Sequence, residues 1–156
     1  MRVEYINPFV EAAFNILKSQ VYENVKRSDL YLKSSSLAIM GVAAVVGLAG
    51  DVIGQVRFDM TKETALKVAS IMNGEKLPAL DDMAKATIQE LANMITAQAV
   101  TKLHDLGFKF DLTPPALFVG DNLEVSNDFK VETLIVPMEL GSYGKIEVNV
   151  AIRERT

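Results

Sequence analysis

The sequence of 156 residues is 49% hydrophobic and 23% charged, with a formal net charge of −4, which is ordinary for a soluble globular protein. The acidic balance, with no face dense in Lys or Arg, argues against nucleic-acid binding. The chain has no cysteine, which excludes disulfides and thiolate metal sites and fits a cytoplasmic location. We expect one domain covering residues 1–156, with neither a nucleic-acid nor a membrane partner.

The first elements predicted along the chain are a helix and a half-buried strand. Asn7 followed by Pro8 has the form of an N-cap with proline at the first helical position. The apolar residues that follow at helical spacing are Val10, Ala13, Phe14, Leu17 and Val21. Residues 27–34 alternate between apolar and polar side chains, which is typical of a half-buried strand.

A hairpin is predicted next. Residues 36–47 and 52–60 form its two strands, joined at Ala49-Gly50-Asp51, and Gly54 marks a bulge or a close backbone contact. The most apolar run, residues 37–50, is too short to cross a bilayer. We interpret it as a central strand that is apolar on both faces.

The second half of the chain repeats this order. Thr61 predicts the N-cap of a helix that ends at Asn73-Gly74, and residues 75–80 form a linker. A long helix then leads to a segment at 108–112, a strand at 116–119, a polar turn region at 120–128, and a hairpin of residues 129–140 and 145–153. We therefore predict an α+β fold of duplicated helix, strand and hairpin units, with a largely antiparallel sheet and long helices on one face.

The long helix, residues 81–106, is the element around which this fold is organised. At about 26 residues it is more than twice the average helix length, and it stops at Gly107. Its predicted buried stripe is Ala84, Ile88, Leu91, Ile95, Ala99 and Leu106. Its opposite side carries Ala86, Glu90, Asn93 and Ala97, with Met94 and Val100 near the same exposed side.

Glu90 and Asn93 are the candidate functional pair on this outward side. Glu90 is the only formal charge between residues 87 and 101, whereas a solvated helix face is usually dense in Lys and Glu. This face therefore reads as a surface that a partner covers. The string Glu-x-x-Asn is weak by itself, since it also occurs at Glu4 and Glu124. The alternative is an exposed hydrogen-bonding pair with no further role.

Other familiar sites are absent from the sequence. The single histidine, His104, has no Cys, His or carboxylate at the spacing of metal ligands. It lies in the last turn of the long helix, where it interacts favourably with the C-terminal end of the helix dipole. Asp81 and Asp82 are interpreted as first-turn acids of that helix. No phosphate-binding loop, dinucleotide fingerprint, GxSxG or HExxH motif occurs.

The outward Glu90 and Asn93, with Pro115 following, make the chain resemble a CheX-type member of the CheC/CheX/FliY family of chemotaxis phosphatases. The runs EYINPFVEAAFNIL and IMGVAAVVGLAGDVIGQV are similar to that family as well. The family pattern has Asp or Ser four residues before the glutamate, where this chain has Ala86. CheC-type proteins carry the pair on both long helices, whereas Phe14 in the first helix leaves one pair here, as in CheX.

The resemblance implies hydrolysis of the aspartyl phosphate on a CheY-like response regulator. Glu90 would hold the regulator's active-site lysine and Asn93 would orient the attacking water. The chain would need no cofactor of its own, because the regulator supplies Mg²⁺. The resemblance also implies a homodimer.

Two alternatives stay open from the sequence. One is a non-catalytic docking module that binds a regulator or another partner through the same helix face, silenced by the change at Ala86. The other is a purely structural subunit, as in the motor-switch relatives of this family.

Overall fold

The computed structural model describes residues 3–33, 37–125 and 132–155. In these residues the helices are α1 (Val3–Gln20), α2 (Lys62–Asn73) and α3 (Asp82–Asp105), with a 3-10 turn at Gly141–Tyr143. The strands are β1 (Lys26–Arg27), β2 (Tyr31–Lys33), β3 (Leu37–Ala38), β4 (Val42–Gly50), β5 (Val52–Met60), β6 (Phe110–Leu112), β7 (Ala116–Val119), β8 (Glu124–Val125), β9 (Thr133–Glu139) and β10 (Lys145–Glu154). None of the helices in this described part is long and apolar enough to cross a membrane.

An eight-stranded antiparallel sheet forms the centre of the molecule. Its order is β1-β9-β10-β5-β4-β6, with β2 also paired to β9 and β7 also paired to β4. β3 and β8 form a separate two-stranded ribbon. The α+β prediction with a largely antiparallel sheet is confirmed.

The strand pairing repeats between the two halves of the chain. β1 and β2 pair with β9 as β6 and β7 pair with β4. The hairpin β4–β5 corresponds to β9–β10, and the halves meet where β5 pairs with β10 and β3 with β8. α1 and α3 are therefore counterparts, and the predicted duplication is visible in the topology.

The core lies between one face of the sheet and the helices. Along β5, Val56, Phe58 and Met60 join the helical side chains in this core, because alternate residues of a strand point to one face. On the opposite face Arg57 and Asp59 are also buried. The sheet is thus apolar toward the helices and partly polar, yet covered, on its other side.

Several predicted boundaries were wrong. α1 begins at Val3 and contains Pro8, because Tyr5 and Ile6 are buried and extend the helix toward the N-terminus. The strand predicted at 27–34 is two short strands, β1 and β2. The strand predicted from residue 36 is interrupted at Gly41, whose φ of 144° turns the chain between β3 and β4.

Other local predictions were confirmed. Thr61 Oγ1 accepts the N–H of Thr64 at 3.1 Å and caps α2, which ends at Gly74 with φ 69°. A Cβ at Gly54 would meet the carbonyl oxygen of Ala151, which explains the predicted close contact. The polar turn region contains β8, and its residues 126–128, like residues 129–131 of the last hairpin, lie outside the described residues.

Candidate functional site

The long helix α3 is held in place by its cap and by its buried side. Asp81 Oδ1 accepts the N–H of Ala84 at 2.9 Å at the start of the helix, so Asp81 is an N-cap and the interpretation as an acid at the helix start is confirmed. The residues buried on the inner side of α3 are Ala84, Ile88, Leu91, Ala92, Ile95, Thr96, Ala99, Val100 and Leu103. α1 and α2 both pack against this helix.

Two predictions about the faces of α3 were wrong. Val100 is 9% exposed and belongs to the core, because the buried side of α3 is wider than the single predicted stripe. Leu106 is 54% exposed, because it lies at the C-cap, where the chain leaves the helix. Met94 is half-buried.

The outward side of α3 is as predicted. Ala86, Glu90, Asn93 and Ala97 are all exposed. Glu90 and Asn93 are i,i+3 neighbours, whose Cβ atoms lie about 5–6 Å apart in a helix. Within the described part of the chain, neither side chain forms a hydrogen bond or an ion pair. The two polar groups therefore do not satisfy one another, which argues against the purely local hydrogen-bonding pair.

Two side-chain hydrogen bonds frame this face. On one flank Gln89 Nε2 donates to the carbonyl oxygen of Pro115 at 3.1 Å. On the other flank Asn73 Nδ2, at the end of α2, donates to Thr87 Oγ1 at 2.8 Å. The structure therefore brings Pro115 beside α3. Gln89, Asn73 and Thr87 were not predicted from the sequence, because each bond joins residues that are close only after folding.

On α1, the position that corresponds to Asn93 is occupied by a phenylalanine. Phe14 is half-buried on α1, and the Arg27 guanidinium lies 5.7 Å from the centroid of its ring. A cation over an aromatic face is attracted by the ring. Glu11, the counterpart of Glu90, is exposed but has this covered phenyl ring one turn later, so the position on α1 that corresponds to Asn93 holds no carboxamide.

The pair lies outside the groove between the two long helices. A groove of about 330 Å³ runs between α1 and α3 and is lined by Pro8, Glu11, Ala12, Asn15, Gln98, Thr101, Lys102 and Asp105, without Glu90 or Asn93. Small-molecule sites are usually concave and largely apolar. A polar pair on an exposed helix face is better suited to a macromolecule that brings its own cavity.

The other candidate ligands lie apart from this pair. His104 is exposed in the last turn of α3. Among the described residues, no three His, Cys, Asp or Glu side chains are grouped as metal ligands would be.

Comparisons with known proteins place this fold and this helix in a family. Residues 42–139 match the family model of the chemotaxis phosphatase CheX. The chain is 32% identical over 113 residues to the CheY-P phosphatase CheX of Thermotoga maritima, covering 72% of each protein.

Solved structures agree over almost the whole chain. The CheX-CheY-BeF3-Mg²⁺ complex from Borrelia burgdorferi matches with a TM-score of 0.85 and 45% identity, covering 98% of this chain and 100% of that one. A CheC-like superfamily protein from Shewanella sp. PV-4 matches with a TM-score of 0.88 and 27% identity, covering 98% and 99%. With its antiparallel sheet, its paired long helices and its matched sequence, the chain belongs to the chemotaxis phosphatase CheX family.

Proposed function

We propose that this chain hydrolyses the aspartyl phosphate of a CheY-like response regulator, with Glu90 and Asn93 as its active pair. The observation that carries the proposal is this exposed pair, without side-chain partners in the described structure, on the framed and nearly uncharged face of α3. Family membership supplies the reaction class, and a relative 45% identical forms a complex with CheY.

Asn93 is assigned the catalytic role. Its carboxamide can donate one hydrogen bond and accept another at the same time without titrating. In the regulator's site it would orient a water whose oxygen attacks phosphorus, while the bond from phosphorus to the aspartyl oxygen breaks. The products are inorganic phosphate and the regenerated carboxylate. Phosphoryl transfer of this kind depends mainly on positioning and electrostatics, and a hundredfold acceleration requires about 2.7 kcal/mol.

Glu90 is assigned to capture of the regulator. Its carboxylate lies one turn from Asn93, on the same face, and has no ion-pair partner in the described part of the chain. A lysine beside the regulator's phosphorylated aspartate would form a charge-assisted pair with it. The pair would fix the orientation in which Asn93 enters.

The Mg²⁺ of this reaction is assigned to the regulator. Activity should therefore require Mg²⁺ while the isolated chain binds none tightly. Calorimetry of this chain with Mg²⁺ alone tests the assignment, and a tight site on the chain would contradict it.

We further propose a cytoplasmic homodimer. Leu30 and Leu32 are 61% and 56% exposed at strand β2, which in the described structure pairs with β9 only. An open strand edge with apolar side chains can pair with a second chain. Light scattering at micromolar concentration should give twice the chain mass, and a monomer would contradict this part of the proposal.

The proposal as a whole is tested by the decay of regulator phosphate with and without this protein. We expect faster decay, and Glu90→Ala should raise KM by about tenfold because it removes one partner of a charge pair. Glu11→Ala, at the counterpart position on α1, is the matched control and should leave KM unchanged.

The docking-module alternative predicts a different result. Ala86, where the family pattern has Asp or Ser, is exposed one turn before Glu90 and is the observation that favours it. A protein that bound the phosphorylated regulator but left its decay rate unchanged would overturn the catalytic proposal in favour of docking.

A further inference from the structure

The turn at residues 113–115 lies beside the face of α3 that carries Glu90 and Asn93, and it is hydrogen-bonded to the sheet. It joins β6 to β7, both of which pair with β4. Its first residue is bound to the sheet twice, because Thr113 N donates to Gly47 O at 3.0 Å and Thr113 Oγ1 accepts Gly47 N at 2.7 Å. Pro114 and Pro115 follow, and neither has a backbone N–H to donate.

Gln89 connects α3 to this turn by a side-chain hydrogen bond. Its Nε2 donates to the carbonyl oxygen of Pro115 at 3.1 Å, between residues 26 positions apart. Gln89 is half-buried, as is Pro115, whereas Pro114 is exposed. The bond therefore joins the stiff apex of the turn to α3 and leaves Pro114 facing outward.

The place of this bond relative to the active pair gives it a role. Gln89 and Asn93 are i,i+4 neighbours and so lie on the same side of α3. The turn thus forms a wall on the Asn93 flank, while the bond from Asn73 to Thr87 holds the end of α2 on the Glu90 flank. A regulator that receives Asn93 in its phosphorylated site would contact this wall.

We propose that Gln89 is a positioning residue of the phosphatase site, which fixes the turn at residues 113–115 against α3 as a docking wall for the regulator. This inference rests on the proposed function. The wall acts before the chemical step, because it defines how the regulator sits on the helix. Loss of the bond should therefore raise KM and leave kcat nearly unchanged.

The test compares Gln89→Met with wild type in regulator-phosphate decay. Methionine keeps the length of the side chain and removes the donor. A hydrogen bond of this kind is worth about 0.5–1.5 kcal/mol, which at about 1.4 kcal/mol per factor of ten corresponds to a rise in KM of about 2- to 12-fold. Gln89→Lys, which restores a donor within reach of the Pro115 carbonyl, should return KM to within about twofold of wild type.

Gln98→Met is the matched control. Gln98 is exposed on the same helix and lines the groove toward α1 instead of the turn, so its substitution should leave KM unchanged. Pro114→Ala is the second test, since it loosens the wall without touching the hydrogen bond and should also raise KM. It keeps the proposal testable if Gln89→Met fails to fold.

The outcomes separate this inference from the function on which it rests. The positioning role alone would be overturned if the wild type accelerated decay, Asn93→Ala were inactive and Gln89→Met had the wild-type KM. A fall in kcat without a change in KM would also overturn it, because the wall would then act in the chemical step. Absence of acceleration by the wild type would overturn both proposals.

Discussion

Arg57 and Asp59 form a buried ion pair. Removing one partner should strongly destabilise the fold, whereas replacing both by apolar residues should destabilise it much less. Arg57 Nη2 lies 3.3 Å from Asp59 Oδ2, and both side chains are 3% exposed. Asp59 Oδ1 also accepts the backbone N–H of Met40 at 2.9 Å. Asp59→Ala would deprive the buried guanidinium of its carboxylate and Met40 of its acceptor.

The expected loss is about 3–5 kcal/mol, the range for removal of one partner of a buried pair. This is a large share of the roughly 5–15 kcal/mol that stabilises a typical domain. Burial raises the pKa of Asp59 although the Met40 N–H and Arg57 both oppose the shift, so removal of this carboxylate from water is costly. Replacing a buried ion pair by apolar residues of similar size is often neutral, so the double variant Arg57→Met/Asp59→Leu should recover the part of the loss that comes from the guanidinium left without Asp59, while the Met40 N–H still lacks its acceptor.

Urea unfolding of the wild type, Asp59→Ala and the double variant measures both effects. Phosphatase activity per folded molecule should stay at the wild-type level in the double variant, because the pair lies on the sheet face opposite the core that supports α3. A loss below about 1 kcal/mol for Asp59→Ala would refute the magnitude. A double variant as unstable as Asp59→Ala would refute the argument about desolvation.

Two further predictions concern the outward face of α3 and the edge of the sheet. Ala86→Ser and Ala86→Asp should keep the free energy of unfolding within about 0.5 kcal/mol of the wild-type value, since Ala86 is exposed. Both substitutions should modestly raise turnover. Unchanged regulator-phosphate lifetimes would place Ala86 outside the site. Burial and the hydrogen bond to Glu147 raise the pKa of Tyr31 to about 12. The protonated Tyr31 hydroxyl therefore stabilises the fold fully below its unfolded pKa of about 10. This stabilisation is lost as the pH rises toward 12. Tyr31→Phe should lack this loss in alkaline unfolding curves, and equal pH dependence of both proteins would contradict it.

Local sequence signals predicted the elements whose ends are set by nearby residues. The cap at Thr61, the stop at Gly74 and the strand Ala116–Val119 all agree with the structure. The start of α1 was missed, because burial of Tyr5 against the rest of the fold outweighed the N-cap form of Asn7. Local patterns fail where tertiary burial decides the end of an element.

The outward position of Glu90 and Asn93 could be predicted because helical periodicity fixes which side chains share a face. The contacts around them could not. Gln89 meets Pro115 across 26 residues, and Arg57 lies beside Asn149, 92 residues later in the chain. Such pairs leave no local pattern, so neither the bond between α3 and the turn at residues 113–115 nor the buried polar face of the sheet was predicted.

The central claim is that Asn93 carries the chemistry, and single-turnover decay of regulator phosphate with Asn93→Ala at saturating concentration tests it most directly. Asn93 is exposed and off the buried side of α3, so the variant should fold and bind the regulator as the wild type does. Asn15→Ala, an exposed asparagine on α1, is the matched control. The account predicts decay at the regulator's own rate with Asn93→Ala and full acceleration with Asn15→Ala. Equal acceleration by Asn93→Ala and the wild type would contradict it.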